Sequence, residues 1–172
     1  MLRPKPHQQP IALRPADPAD AEAVAGIWRD GWRDGHLGHV PDELVAVRTR
    51  ESFAVRAAER IADTTVAVVG GDVAGFVMVV GDEVEQLYVA AEHRGAGVAG
   101  ALLTCAARLG WEQGHERVWL AVATGNARAR RFYERQGWVD DGAFDYPADG
   151  PGGPIPVPCH RYVKQAEGRT KG

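Results

Sequence analysis

The run Arg94-Gly95-Ala96-Gly97-Val98-Ala99-Gly100 limits the fold of this chain more than any other segment. Its glycines reach backbone angles closed to other residues and let a ligand approach the main chain. The residues before it, Glu83 to Val89, have strand composition, and those after it follow a helical pattern to about Gly110. A glycine turn between strand and helix leaves free amides at the helix start, where the helix dipole also favours anions, phosphate above all. The alternative is that the glycines serve turn conformation alone.

The flanking patterns predict a mixed α/β chain. Thr64 to Val69 and Val73 to Val80 are β-branched runs separated by Gly70-Gly71-Asp72, and Gly81-Asp82 precedes a third run, Glu83 to Val89. That composition makes a three-stranded antiparallel meander. Earlier, a short strand at Ile11 to Arg14 leads into Asp17-Pro18-Ala19-Asp20, a helix start with a capping carboxylate and a first-turn proline. Val24, Ile27, Trp28 and Trp32 then recur at helical spacing until Gly31 and Gly35 weaken the helix. A second helix follows Pro41, with Leu44, Val47 and Phe53 as buried positions. After the glycine turn and its helix come a strand, Val118 to Ala123, a helix, Asn126 to Gln136, and two strands, Trp138 to Tyr146 and Ile155 to Lys164. The strand-helix-strand order implies a right-handed crossover and one parallel pair in a mostly antiparallel sheet. Residues 1–10 read as a flexible arm, 11–164 as a single domain and 165–172 as a flexible tail.

Composition enters by exclusion. At 172 residues, 45% hydrophobic and 25% charged, the chain suits one folded domain and is too apolar for a disordered one. A net charge of -3 argues against nucleic acid as the partner. Cys105 and Cys159 are too few for a disulfide framework and lack zinc spacing. With no signal-like apolar stretch at the start and no run long enough to span a bilayer, the expectation is a cytoplasmic protein without a membrane partner. His36 and His39 lack the helical context of a zinc site, so no metal is expected. Gly95, Gly97 and Gly100 match G-x-G-x-x-G, but the preceding strand closes a meander and Val118 to Ala123 ends without the acidic residue a dinucleotide site needs. No Gly-Lys-Ser/Thr follows, so a Walker motif is absent.

Arg94-x-x-Gly97-x-Ala99 resembles the Q/R-x-x-G-x-G/A motif of the Gcn5-related N-acetyltransferases (GNAT). Leu87-Tyr88-Val89 upstream and Asn126 through Phe132-Tyr133 to Gly137-Trp138 downstream are similar to that family's pattern, in order and spacing, as is the opening Ile-x-Leu-Arg-Pro-Ala. The resemblance covers about 11–164. It implies a GNAT-like fold that binds acetyl-CoA between splayed strands, with the pyrophosphate on Arg94, Gly95, Ala96, Gly97, Val98 and Ala99. The pantetheine arm would follow Leu87, Tyr88 and Val89, with Asn126 capping a helix or bonding that arm.

The implied reaction is direct transfer of acetyl to a primary amine of a small molecule or peptide in a ternary complex. An alkylamine of pKa about 10.4 is mostly protonated at neutral pH, so a proton acceptor is needed. Glu83 falls where the family often carries its base. Glu85, two residues on and on the same face unless a bulge intervenes, competes with it. Both also read as solvated carboxylates. Tyr133 occupies the family's general-acid position, where it would protonate a departing thiolate of pKa about 8.5, and reads alternatively as core. The run Arg128, Arg130 and Arg131 is a solvated face or a contact for the 3′-phosphate. Other readings are a different acyl-CoA donor and a non-catalytic CoA-binding module, and a homodimer is a candidate assembly.

The resemblance places the acceptor side in the first two helices and the final hairpin. Asp34, Asp42, Glu43, Asp140, Asp141, Asp145 and Asp149 would make its mouth electronegative, with Trp28 or Trp32 as a wall. The expected acceptor is a cationic amine.

Overall fold

Seven strands join in one sheet in the computed structural model, which describes residues 9–166. They are β1 (Ala12–Pro15), β2 (Thr64–Val69), β3 (Asp72–Val80), β4 (Glu83–Val89), β5 (Arg117–Ala123), β6 (Val139–Ala148) and β7 (Ile155–Gln165), in the spatial order β1-β2-β3-β4-β5-β7-β6. All neighbours are antiparallel except β4 and β5, which gives the mixed sheet that the strand and helix order predicts. Strand β7 pairs Gln165 with Arg117, one residue past the expected end of the domain. The other arm and tail expectations, for 1–8 and 167–172, lie outside the described residues.

The helices are α1 (Ala21–His36), α2 (Asp42–Val47), α3 (Arg50–Glu59), α4 (Val98–Glu112) and α5 (Ala127–Arg135). Where the sequence predicts one helix after Pro41 there are two. Arg48 leaves the helical region at φ -86, ψ 65, and the Thr49 hydroxyl then accepts from the Ser52 amide at 3.2 Å, capping a new start. Asp17 begins the first helical segment as expected, accepting from Ala19 N, while Asp20 accepts from Asp17 N and pairs with Arg14 at 2.7 Å.

Each sheet face buries its own apolar set. One holds Val77, Val84 and Leu120 against Val98, Leu102, Leu103 and Ala106 of α4. The other holds Val66, Phe76 and Met78 against Trp28 of α1 and Phe53 of α3, with the Trp28 and Phe53 rings edge to face at 5.7 Å. Contrary to the expected weakening, α1 continues through Gly31 and Gly35 to His36. The reason at Gly31 is packing, because a Cβ there would collide with the Tyr88 ring. Gly31→Ala should therefore lower stability by about 1–2 kcal/mol, since overpacking outweighs the gain in helix propensity. Denaturant unfolding of the two proteins checks this.

Two irregularities open the sheet. The parallel pair of β4 and β5 consists of one register match, Glu83 with Trp119, where Trp119 N donates to Asp82 O at 2.9 Å. Within β4, Gln86 faces Met78 and Val84 faces Val79 across the ladder, so Glu85 is an extra, unpaired residue. That is a β-bulge, which twists the strand and re-aims its side chains.

Candidate active site

Beyond Glu83 and Trp119 the two strands diverge, and a cavity of about 790 Å³ lies at the split, in the size range of small-molecule sites. Its walls include Glu83 to Val89 of β4, Leu120 to Ala123 of β5, the glycine turn, the start of α5, and parts of α1, α3 and the β6–β7 segment.

At the glycine turn, Gly95 and Gly97 have φ of +80° and +84°, a region that side chains strain to enter. A Cβ at either would meet nothing within 4 Å, so these positions need glycine for conformation and not for space. Gly97 caps α4 without any side-chain hydrogen bond to the helix, leaving the first amides of α4 free of that partner. Arg94, Gly95, Gly97, Val98, Ala99 and Gly100 line the cavity, as do Leu87, Tyr88 and Val89. Ala96 does not line it. Arg94 pairs with Asp34 of α1 at 3.1 Å. Asn126 lines the cavity and its Oδ1 accepts from Ala129 N at 3.2 Å, so it caps α5.

The two carboxylates of β4 have different surroundings. Glu83 accepts a hydrogen bond from the Tyr146 hydroxyl at 2.6 Å. Burial raises its pKa above the usual carboxylate range, and the Tyr146 hydrogen bond opposes that rise. Glu85, at the bulge, is ion-paired with Arg60, which follows α3. Tyr133, half-buried on α5, also lines the cavity, and burial pushes its pKa up to about 12. Its ring lies 5.4 Å from Phe132 and 6.0 Å from Tyr162.

The acceptor side departs most from expectation. Trp28 and Trp32 border the cavity but are 1% and 6% exposed, chiefly core residues. Asp145 does not line it. Phe144 and Tyr146 pack toward the Trp28 core, so strand alternation puts Asp145 on the opposite, exposed face of β6. Asp42, Glu43, Asp140 and Asp141 are also absent from the lining, and Asp140 is held by His160 at 3.0 Å and Arg130 at 3.3 Å. Of the predicted acids, Asp34 and Asp149 remain. Arg48, Arg56 and Arg60 share the wall with Glu59, Glu83, Glu85 and Asp149, so its charge is mixed and most of the expected loop acids are not part of it. Arg130 of the basic run also donates to the Tyr162 hydroxyl at 3.2 Å, while Arg128 lines the cavity.

Sequence reasoning missed Tyr146 and these arginines. The period of two in β6 holds a signal for Tyr146. The arginines have none, since on separate short helices they look like ordinary solvated charges. Among the described residues, no helix is long and apolar enough to cross a membrane, and no three His, Cys, Asp or Glu side chains group as metal ligands.

Residues 23–138 match the acetyltransferase (GNAT) family. An uncharacterized N-acetyltransferase of Mycobacterium tuberculosis (strain ATCC 25618 / H37Rv) is 30% identical over 111 residues, 59% of this chain and 71% of the relative. The crystal structure of a GCN5-related N-acetyltransferase from Rhodopseudomonas palustris superposes with a TM-score of 0.72 at 22% identity, covering 95% of this chain and all (100%) of that one. The PaiA N-acetyltransferase of Thermoplasma acidophilum, solved in complex with coenzyme A, gives a TM-score of 0.67 at 18% identity over 91% of this chain and 99% of its own. With a matched region that runs from α1 through the glycine turn to the end of α5, the chain belongs to the GNAT family of acetyltransferases and is an acetyl-CoA-dependent acyltransferase.

Proposed function

We propose that this acetyltransferase moves acetyl from acetyl-CoA directly to a primary amine of a small molecule or peptide, both substrates being bound at once. The observation that carries the reading is that Glu83 and Tyr133, a carboxylate and a hydroxyl from separate elements, border one cavity at the strand split. The residues fit the donor. The uncapped start of α4 and the turn before it suit the pyrophosphate, and the unpaired edge of β4 at Leu87 to Val89 suits the amides of the pantetheine arm. Asn126, already capping α5, borders the same path.

Glu83 accepts a proton from the amine as nitrogen attacks the thioester carbonyl. Its raised pKa brings it nearer to neutrality, which improves a base. Glu85 serves a different end, holding Arg60 against the bulge. As the carbon–sulfur bond breaks, the Tyr133 hydroxyl donates a hydrogen bond to the departing sulfur. Full proton transfer from a phenol at about 12 to a thiolate of ordinary pKa about 8.5 is uphill, so Tyr133 acts mainly by stabilising the thiolate until solvent protonates it.

The test is thiol release from acetyl-CoA across a panel of amines, paired with calorimetry of the donor. Gly97→Val should weaken acetyl-CoA binding at least about tenfold, because valine resists the φ of +84° that positions the amides of α4. Unchanged affinity in a folded variant would remove the donor placement, and no thiol release with any amine would remove the reaction.

A further inference from the structure

Three arginines border the acceptor side of the cavity, and two of them lack a carboxylate partner. Arg60 is neutralised by Glu85. Arg48, at the end of α2, and Arg56, on α3, make no ion pair among the described residues. Arg56 is half-buried with its guanidinium over the Trp28 ring, 4.4 Å from the centroid. Its Nη1 is shielded from solvent and has no hydrogen-bond partner among the described residues, and the same holds for the neighbouring Trp28 Nε1. Burial, and after it the like charge of Arg48, pulls the Arg56 pKa down to about 10, which still leaves it charged at neutral pH. Asp149 is close enough to act on both arginines but pairs with neither. Buried charge without a partner is costly, and native proteins rarely leave such donors unmatched. Arg56, with its unmatched donor, and Arg48 both line the cavity beside Glu59 and Asp149 without an ion pair among the described residues, an arrangement that can receive a compact anion.

The location narrows the ligand. Arg56 and Arg60 are four residues apart, roughly 6 Å along a helix. Arg60 reaches β4 at Glu85, next to Glu83, so an anion on Arg56 lies a short molecule's length from the proposed base. We propose that the acceptor amine carries a compact anionic group, carboxylate or phosphoryl, held by Arg48 and Arg56 while its amine meets Glu83: a short amino acid or its phosphonate counterpart. This rests on the amine-acetylation reading and names its substrate class.

The experiment compares matched acceptors: α-, β- and γ-amino acids, their amides, their aminoalkylphosphonate counterparts, and diamines of equal length. Thiol release should show at least about a tenfold preference in kcat/KM for an anionic acceptor over its amide. Arg48→Gln and Arg56→Gln should each bring that ratio toward one, mainly through KM, with acetyl-CoA affinity on the same samples unchanged. Should Arg56→Gln fail to fold, Arg48→Gln decides, since its side chain lies outside the apolar core. A phosphonate that surpasses its carboxylate match identifies the anion as phosphoryl and keeps the arginine pair. Amides or diamines that equal the anionic acceptors, or a preference that survives in the folded arginine variants, overturns the proposal. A direct titration of the amino acids and their amides against the protein separates the two readings. If acetyl-CoA fails to bind yet the anionic ligands bind through the arginines, the acetylation reading fails and the anion site stands. If acetyl-CoA binds and neutral amines turn over equally well, the anion site fails and the acetylation reading stands.

Discussion

Glu83→Gln is expected to lower kcat/KM for the amine by about 10²–10³-fold, the usual loss when a general base is removed. It should also flatten the ascending limb of the pH profile. Because burial raises the Glu83 pKa, that limb should lie above the ordinary carboxylate range, with activity growing as pH rises through it and the carboxylate forms. Tyr146→Phe should shift the same limb in a defined direction. The Tyr146 hydroxyl stabilises the charged form at 2.6 Å, so its loss should move the limb to higher pH with the plateau largely kept. Glu85→Gln should act in the opposite sense. It frees Arg60, whose charge lowers the Glu83 pKa, so the limb should move to lower pH. If Glu85→Gln abolishes the limb and Glu83→Gln leaves it in place, the roles of the two carboxylates are reversed.

Tyr133→Phe is expected to reduce kcat by roughly 10–10²-fold while donor affinity in calorimetry stays within a factor of about two, since only a hydroxyl that aids departure of sulfur is lost. The dependence on leaving group is the sharper measurement. With acetyl thioesters of progressively more acidic thiols, the departing thiolate needs less help and the deficit of the variant should shrink. A deficit that stays constant across the series, or appears in donor affinity, would place Tyr133 in packing against Phe132 and Tyr162 instead.

The parts of this protein legible in its sequence are those governed by local rules. Strand period, the two tight turns of the meander and the glycine turn are written in residue type and spacing, and the seven strands follow them closely. The break at Arg48 was missed because a helix restart depends on one hydroxyl, that of Thr49, against an apolar pattern that continues past it. Glu83 and Glu85 were both identifiable as candidates, but the difference between them comes from the bulge and from Tyr146 and Arg60, 63 and 25 residues away along the chain. The acids expected on the acceptor wall differ from those that line the cavity for a related reason. Counting acids within loops gives no account of which face they take, and the alternation of β6 turns Asp145 away while turning Tyr146 in. Gly31 seemed a weak point of α1, yet it is where the helix and the Tyr88 ring make their nearest approach.

The split between β4 and β5 also has a mechanical side. One backbone register match ties strands β1 to β4 to the trio β5, β7 and β6, while the apolar face under α4 runs without interruption from Val77 and Val84 to Leu120 and Tyr162. The two half-sheets are therefore joined by oil more than by hydrogen bonds. Nondirectional contacts tolerate small rotations that a full ladder would forbid, so the halves can yield slightly about α4 without unzipping a strand. A long, amide-bearing molecule laid in the gap would do for this sheet what an eighth strand does for a complete one, converting a yielding seam into a stiff one.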